Sequence, residues 1–211
     1  MDQGLRAIVE SFDSELPITE AWTPPSEWYT SPELLSLEAR SVFRNNWVAV
    51  GRAEAVSEPG HFISGTLLGD PYIIVRAKDG ALHAFDNVCR HHATTLVRGS
   101  GCLERFQCPY HGWTYSLDGA LIGAPRMGGV AGFDKSTMGL RRRHAATWGP
   151  LLFIFMGASP PDLEAQMGSL EGLVPLERLQ GLSWAGGEDY QVESNWKVYV
   201  DNYLDGGYHV P

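Results

Sequence analysis

The chain has 211 residues, enough for one large domain, or one domain and part of another. Its formal charge is −9, from 16 basic and 25 acidic residues. This argues against a nucleic-acid partner, because phosphate backbones need clustered Lys and Arg. Hydrophobic content of 44% can build a core. The three cysteines, Cys89, Cys102 and Cys108, are too few and odd in number for a disulfide framework, which suits a reducing, cytoplasmic setting. Met1 to Arg6 shows no basic start followed by an apolar run, so no signal peptide is expected. The longest apolar stretch, Leu151 to Met156, is far too short to span a membrane.

In chain order, residues 1–30 are polar and Pro-rich near Pro24-Pro25 and read as an irregular arm. Ser31 can cap a helix, Pro32 suits its first position and Thr30-x-x-Glu33 resembles a shifted capping box. Leu34, Leu35, Val42 and Phe43 then recur at helical spacing to about Asn45. Beyond this the texture changes to short strands and tight turns. Trp47 to Val50 is β-prone. Tyr72–Val75 and Ala81–Phe85 flank Lys78-Asp79-Gly80, and Asp118-Gly119 separates Trp113–Tyr115 from Ala120–Ile122; Asp-Gly is a strong hairpin signal. Leu151–Phe155 reads as a buried strand, Ser159-Pro160-Pro161 as a junction, Leu163–Leu170 as a short helix and Glu188–Glu193 as a strand. Asn195–Tyr203 carries helical spacing.

Two clusters decide the chemistry. Cys89-Arg90-His91 and Cys108-Pro109-Tyr110-His111 each offer one thiolate and one imidazole, with sixteen residues between them. Two Cys on one iron and two His on the other are the ligand set of a Rieske [2Fe–2S] centre, which moves single electrons. A zinc finger instead pairs Cys with Cys and His with His along the chain, and buried cysteines with incidental histidines are the bland reading. His92 adjoins His91 and competes with it; spacing favours His91. Cys102, His61, His83 and His144 have no partner pattern.

Asn87 to His92, with Cys108 to Tyr115, resembles the Rieske domain of Rieske non-haem iron oxygenases. The likeness extends upstream through Tyr29–Glu33 and Trp47–Arg52, and downstream through Gly123–Pro125 and Trp148–Phe153. Respiratory Rieske proteins carry two further cysteines where this chain has Thr94 and Tyr110. The resemblance implies a mainly β Rieske domain of antiparallel sheets with two cluster-binding loops at 46–157. A helical arm precedes it at 1–45, and the start of an α+β catalytic domain follows at 158–211. It implies Cys89, His91, Cys108 and His111 as ligands of a [2Fe–2S] cluster. Asn195 to His209 resembles the opening of the family's catalytic domain. By that likeness Asp205 is the carboxylate bridging the cluster to a mononuclear Fe(II), and His209 is an iron ligand in a site this stretch leaves incomplete. Asp205-Gly206-Gly207-Tyr208-His209-Val210-Pro211 looks like the choline monooxygenase-like branch. The implied partners are a reductase or ferredoxin as electron donor, O₂, and a small molecule hydroxylated on an aromatic ring or N-methyl group. Homotrimers are expected for an intact subunit of which this chain is the front part. A Rieske-type ferredoxin acting only as carrier is the alternative.

Overall fold

The computed structural model describes residues 3–205, so His209 lies outside the described residues. The chain divides into two compact units. One is Phe43–Ser183; the other draws on the stretches up to Val42 and from Trp184. The α-helices among the described residues are α1 Gln3–Glu10, α2 Glu27–Thr30, α3 Pro32–Glu38, α4 Leu163–Glu171, α5 Leu176–Gln180 and α6 Trp196–Leu204. None is long and apolar enough to cross a membrane.

The larger unit is built of antiparallel strands, as the short alternating segments require. They are β1 Val48–Arg52, β2 His61–Leu67, β3 Asp70–Arg76, β4 Leu82–Asp86, β5 Ser100–Cys102, β6 Phe106–Gln107, β7 Thr114–Tyr115, β8 Leu121–Gly123, β9 Arg142–Trp148 and β10 Leu151–Phe155. One sheet runs β1-β10-β9-β4-β3-β2-β5, and a small one runs β6-β7-β8. Strand β3 shows why the large sheet is covered on both faces. Four consecutive residues, Tyr72 to Val75, are buried, and strand side chains alternate between faces. Ile73 and Val75 enter a core with Phe85, Phe106, Trp113 and Tyr115. Tyr72 and Ile74 enter a second core with Val56, Leu152 and Ile154. Each such aliphatic side chain contributes about 1.5–3 kcal/mol on full burial. Phe153 turns to a third cluster with Trp148 and Leu163, against which Met167, Leu176 and Leu179 of the following helices pack.

Both Asp-Gly hairpins form as expected. Strand β3 pairs with β4 and β7 with β8. In each turn the aspartate carboxylate accepts the N–H two residues on: Ala81 to Asp79 at 3.0 Å, Ala120 to Asp118 at 3.2 Å. Gly119 has φ +88°, and a Cβ there would meet Phe85 at 2.4 Å, so both backbone and packing demand glycine.

The structure departs from the sequence reading in three places. The arm is not wholly irregular: α1 and α2 form within it, and Phe12 packs on Trp28 edge-on at 5.2 Å. Helix α3 starts as read, with Ser31 Oγ accepting from Leu34 N–H and Pro32 in the first turn, but ends at Glu38 and continues as a wider π-type turn, Ala39–Phe43. Glu188–Glu193 forms no strand. Tyr190 and Val192 there are 79% and 61% exposed, and a strand without a neighbour or a covered face does not persist.

Candidate metal centre

The two Cys/His segments are loops closed the same way. Cys89 N–H donates to Thr94 O at 2.8 Å, and Ala93 N–H donates to Cys89 O at 3.0 Å. Cys108 N–H donates to Trp113 O at 2.8 Å, and Gly112 N–H donates to Cys108 O at 3.0 Å. The fifth residue of each loop lies in the left-handed region, Ala93 at φ +57° and Gly112 at φ +72°. The first loop leaves β4, and the second joins β6 to β7.

Buried and half-buried side chains hold these loops. Asn87 Oδ1 accepts from Leu96 N–H at 3.0 Å and Val97 N–H at 3.1 Å, while its Nδ2 donates to Val97 O at 2.8 Å. It thereby ties the exit of the first loop to its entrance. Below, Arg143 grips both oxygens of Asp86 and donates to Met156 O. Tyr115, fully buried, brings its hydroxyl 3.4 Å from Cys89 Sγ and accepts Arg90 N–H at 3.0 Å. Burial first, then the Cys89 hydrogen bond, pushes this phenol's pKa far up, so the hydroxyl keeps its proton and can donate to sulfur. Trp113 stacks flat on His91, ring centres 4.7 Å apart at 7°.

Four predicted ligands fall in these loops. Cys89 and Cys108 are unpaired as disulfides and buried in one core cluster. His91 is half-buried and His111 exposed, with ring centres 4.8 Å apart. His92 is exposed, 3.9 Å from the His91 ring. Donor atoms of His91, His92 and His111 all lie within 4.8 Å of one another. Desolvation, then the neighbouring His92 and His111, lowers the His91 pKa, which keeps the imidazole neutral and able to bind metal. His91 Nδ1 is buried without a hydrogen-bond partner. A buried polar nitrogen in that state is costly, and a metal ion would satisfy it. Two buried thiols, that nitrogen and a second imidazole nearby therefore suit an iron–sulfur group. His92, facing solvent, lacks that distinction.

Asp205 is exposed just beyond α6, its N–H donating to Asp201 O at 2.9 Å. His83 lies 3.4 Å from an Arg142 guanidinium nitrogen, and His144 lies 3.1 Å from Ala158 O. Cys102 is exposed. The sequence reading assigned no role to the side chains of Asn87 and Tyr115. Their signal was position alone: one two residues before the first cysteine, the other seven after the second.

Residues 46–134 match the Rieske [2Fe-2S] domain family. The chain is 39% identical over 223 aligned positions to a chloroplastic choline monooxygenase of Arabidopsis thaliana, covering 97% of this chain and 51% of that protein. It is 34% identical to the carnitine monooxygenase oxygenase subunit of Acinetobacter baumannii, covering 88% and 51%. A solved quaternary ammonium Rieske monooxygenase, studied for carnitine oxidation and inter-subunit electron transfer, superposes with a TM-score of 0.82. It is 32% identical, over 87% of this chain and 51% of that one. The chain thus spans about half the length of the curated relatives it matches. Residues 46–134 are a Rieske [2Fe–2S] domain, in a chain similar to the N-terminal half of Rieske oxygenase α subunits of the choline monooxygenase-like branch.

Proposed function

We propose that this chain is the Rieske-bearing front half of an oxygenase α subunit that hydroxylates an N-methyl group of a quaternary ammonium compound. The observation that carries it is the paired-loop site, with two buried thiols and a buried imidazole nitrogen lacking any other partner. Cys89 and Cys108 would hold one iron, and His91 and His111 the other. The cluster supplies one-electron storage, and a mononuclear Fe(II) in the full-length subunit supplies O₂ activation. Asp205 would accept hydrogen bonds from imidazoles of both centres and so join them, and His209 would be the first ligand of the second.

Residues 1–45 are the arm, 46–157 the Rieske domain and 158–211 the opening of the catalytic domain. A reductase or ferredoxin donates electrons in the cytoplasm, and homotrimers bring one subunit's loops to a neighbour's Asp205. The named relatives act on choline and carnitine, which supports the N-methyl reading over aromatic ring hydroxylation. A carrier-only ferredoxin has no use for the α6 segment and is not favoured.

The test is anaerobic reconstitution followed by iron and sulfide assay and electron paramagnetic resonance. About two irons and two sulfides per chain are expected, with the signal lost in His91→Ala and kept in His92→Ala. Zinc in place of iron, or the reverse pattern for the two histidines, would overturn the assignment.

A further inference from the structure

We propose that Glu38 and Tyr29, both from the arm, are positioning residues for Asp205: they fix the helix at whose end it stands. The proposal rests on reading Asp205 as the electron bridge.

Lys197, in the first turn of α6, is only 9% exposed. Its Nζ donates to both Glu38 oxygens at 2.6 and 2.8 Å and to Asn195 Oδ1 at 2.8 Å. All three ammonium protons thereby have acceptors. Trp196 Nε1 donates to Glu38 Oε2 at 2.9 Å. The ammonium also lies 5.2 Å from the Trp196 ring and 5.9 Å from the Tyr29 ring. Farther along, the Tyr29 hydroxyl donates to Asp201 Oδ2 at 2.6 Å, and that hydrogen bond is the main cause of the phenol's raised pKa. Asp201 O in turn accepts the Asp205 N–H. The contacts run unbroken from the arm to Asp205.

A helix of nine residues does not hold itself in water. Val198, Tyr199 and Tyr203 are exposed, so burial of those side chains does not orient it. A buried ion pair adds little net stability over an apolar pair of the same shape, whereas losing one member leaves a charge uncompensated. What this pair supplies is a defined orientation. Where a reaction depends on alignment, misplacing a positioned group by about 1 Å can cost about 100-fold in rate.

The experiment compares Glu38→Gln, Tyr29→Phe and Asp205→Ala in the complete oxygenase subunit. Rates are counted per cluster-loaded molecule, so unfolded protein does not contribute. On mixing pre-reduced protein with O₂ and substrate, cluster oxidation should slow about tenfold in Glu38→Gln and about threefold in Tyr29→Phe. KM and the cluster's paramagnetic spectrum should not change. In the 211-residue chain, amide exchange over Trp196–Leu204 should quicken while that of β3 and β4 stays as it was. Faster exchange with wild-type oxidation would make the contacts purely structural and overturn the proposal. Should Glu38→Gln fail to fold, Tyr29→Phe, which removes one oxygen, decides alone by the same criterion. Wild-type oxidation in Asp205→Ala removes the bridge reading and this proposal with it. Slow Asp205→Ala beside wild-type Tyr29→Phe and Glu38→Gln removes only the arm's role.

Discussion

Replacing Tyr115 by Phe should lower the cluster's reduction potential by about 40 mV. The ring stays, so the change is one oxygen in a fully buried position. That oxygen lies 3.4 Å from Cys89 Sγ; a metal-bound thiolate carries no proton, so the hydroxyl is the donor. Reduction adds negative charge to the sulfurs and strengthens any hydrogen bond they receive. A neutral hydrogen bond contributes about 1 kcal/mol net and a charge-assisted one about twice that. The bond therefore favours the reduced state by about 1 kcal/mol. For a one-electron couple, about 1.4 kcal/mol corresponds to about 59 mV, which gives the stated shift.

The assay is a mediated redox titration of the reconstituted protein, followed by the electron paramagnetic resonance of the reduced cluster. The spectrum's type should not change, because no ligand is replaced. The same oxygen also accepts Arg90 N–H at 3.0 Å, so stability should fall by about 1 kcal/mol. A potential that stays level or rises would refute the reasoning, since the sulfur would then receive no hydrogen bond from this residue.

Asn87→Ala strips acceptors from Leu96 and Val97 N–H and a donor from Val97 O. It should cost about 2–4 kcal/mol in denaturant unfolding and speed cluster loss; a cost below about 0.5 kcal/mol would show that water replaces the side chain. Ala93→Gly relieves a left-handed alanine at φ +57°, worth about 1–2 kcal/mol and partly offset by glycine's chain entropy of about 0.5–1 kcal/mol. Unfolding midpoints should rise slightly, and a clear fall would mean the methyl packs usefully. Asp118 has its pKa lowered below 3.8, first by the Ser116 hydroxyl and then by Ala120 N–H. Its stabilisation is full above the unfolded pKa and fades as pH falls through the folded value. Asp118→Asn should destabilise at pH 7 and flatten the decline below about pH 4; urea unfolding at several pH values that gives parallel curves for both proteins would count against this.

The hairpins, the buried run Leu151–Phe155 and helix α6 were legible because each rests on local chemistry: an Asp-Gly pair, an apolar block, an Asn cap. Helix α1 went unread although Leu5, Ile8, Val9 and Phe12 stand at helical spacing, because a polar composition and Pro24-Pro25 masked it. The failure at Glu188–Glu193 is of another kind. Alternation specifies a strand only where a partner strand and a core face exist, and neither is written in the segment itself. The same holds for the site. The Cys/His pairs are local motifs, whereas Tyr115 reaching Cys89 and Trp113 stacking on His91 depend on the second loop meeting the first.

That meeting gives the spacing a physical meaning. Both loops close identically on their cysteines, with a left-handed residue four positions on, yet His91 follows its cysteine by two residues and His111 by three. Equal frames with unequal offsets send the two rings to different surroundings. His91 lies flat on Trp113 with a nitrogen buried, while His111 stands in solvent beside Tyr110. One imidazole is thus held rigidly by the core, and the other presents an accessible edge to whatever docks. Both serve an electron-transfer centre: a fixed side chain keeps reorganisation small, and an accessible one lets a partner couple.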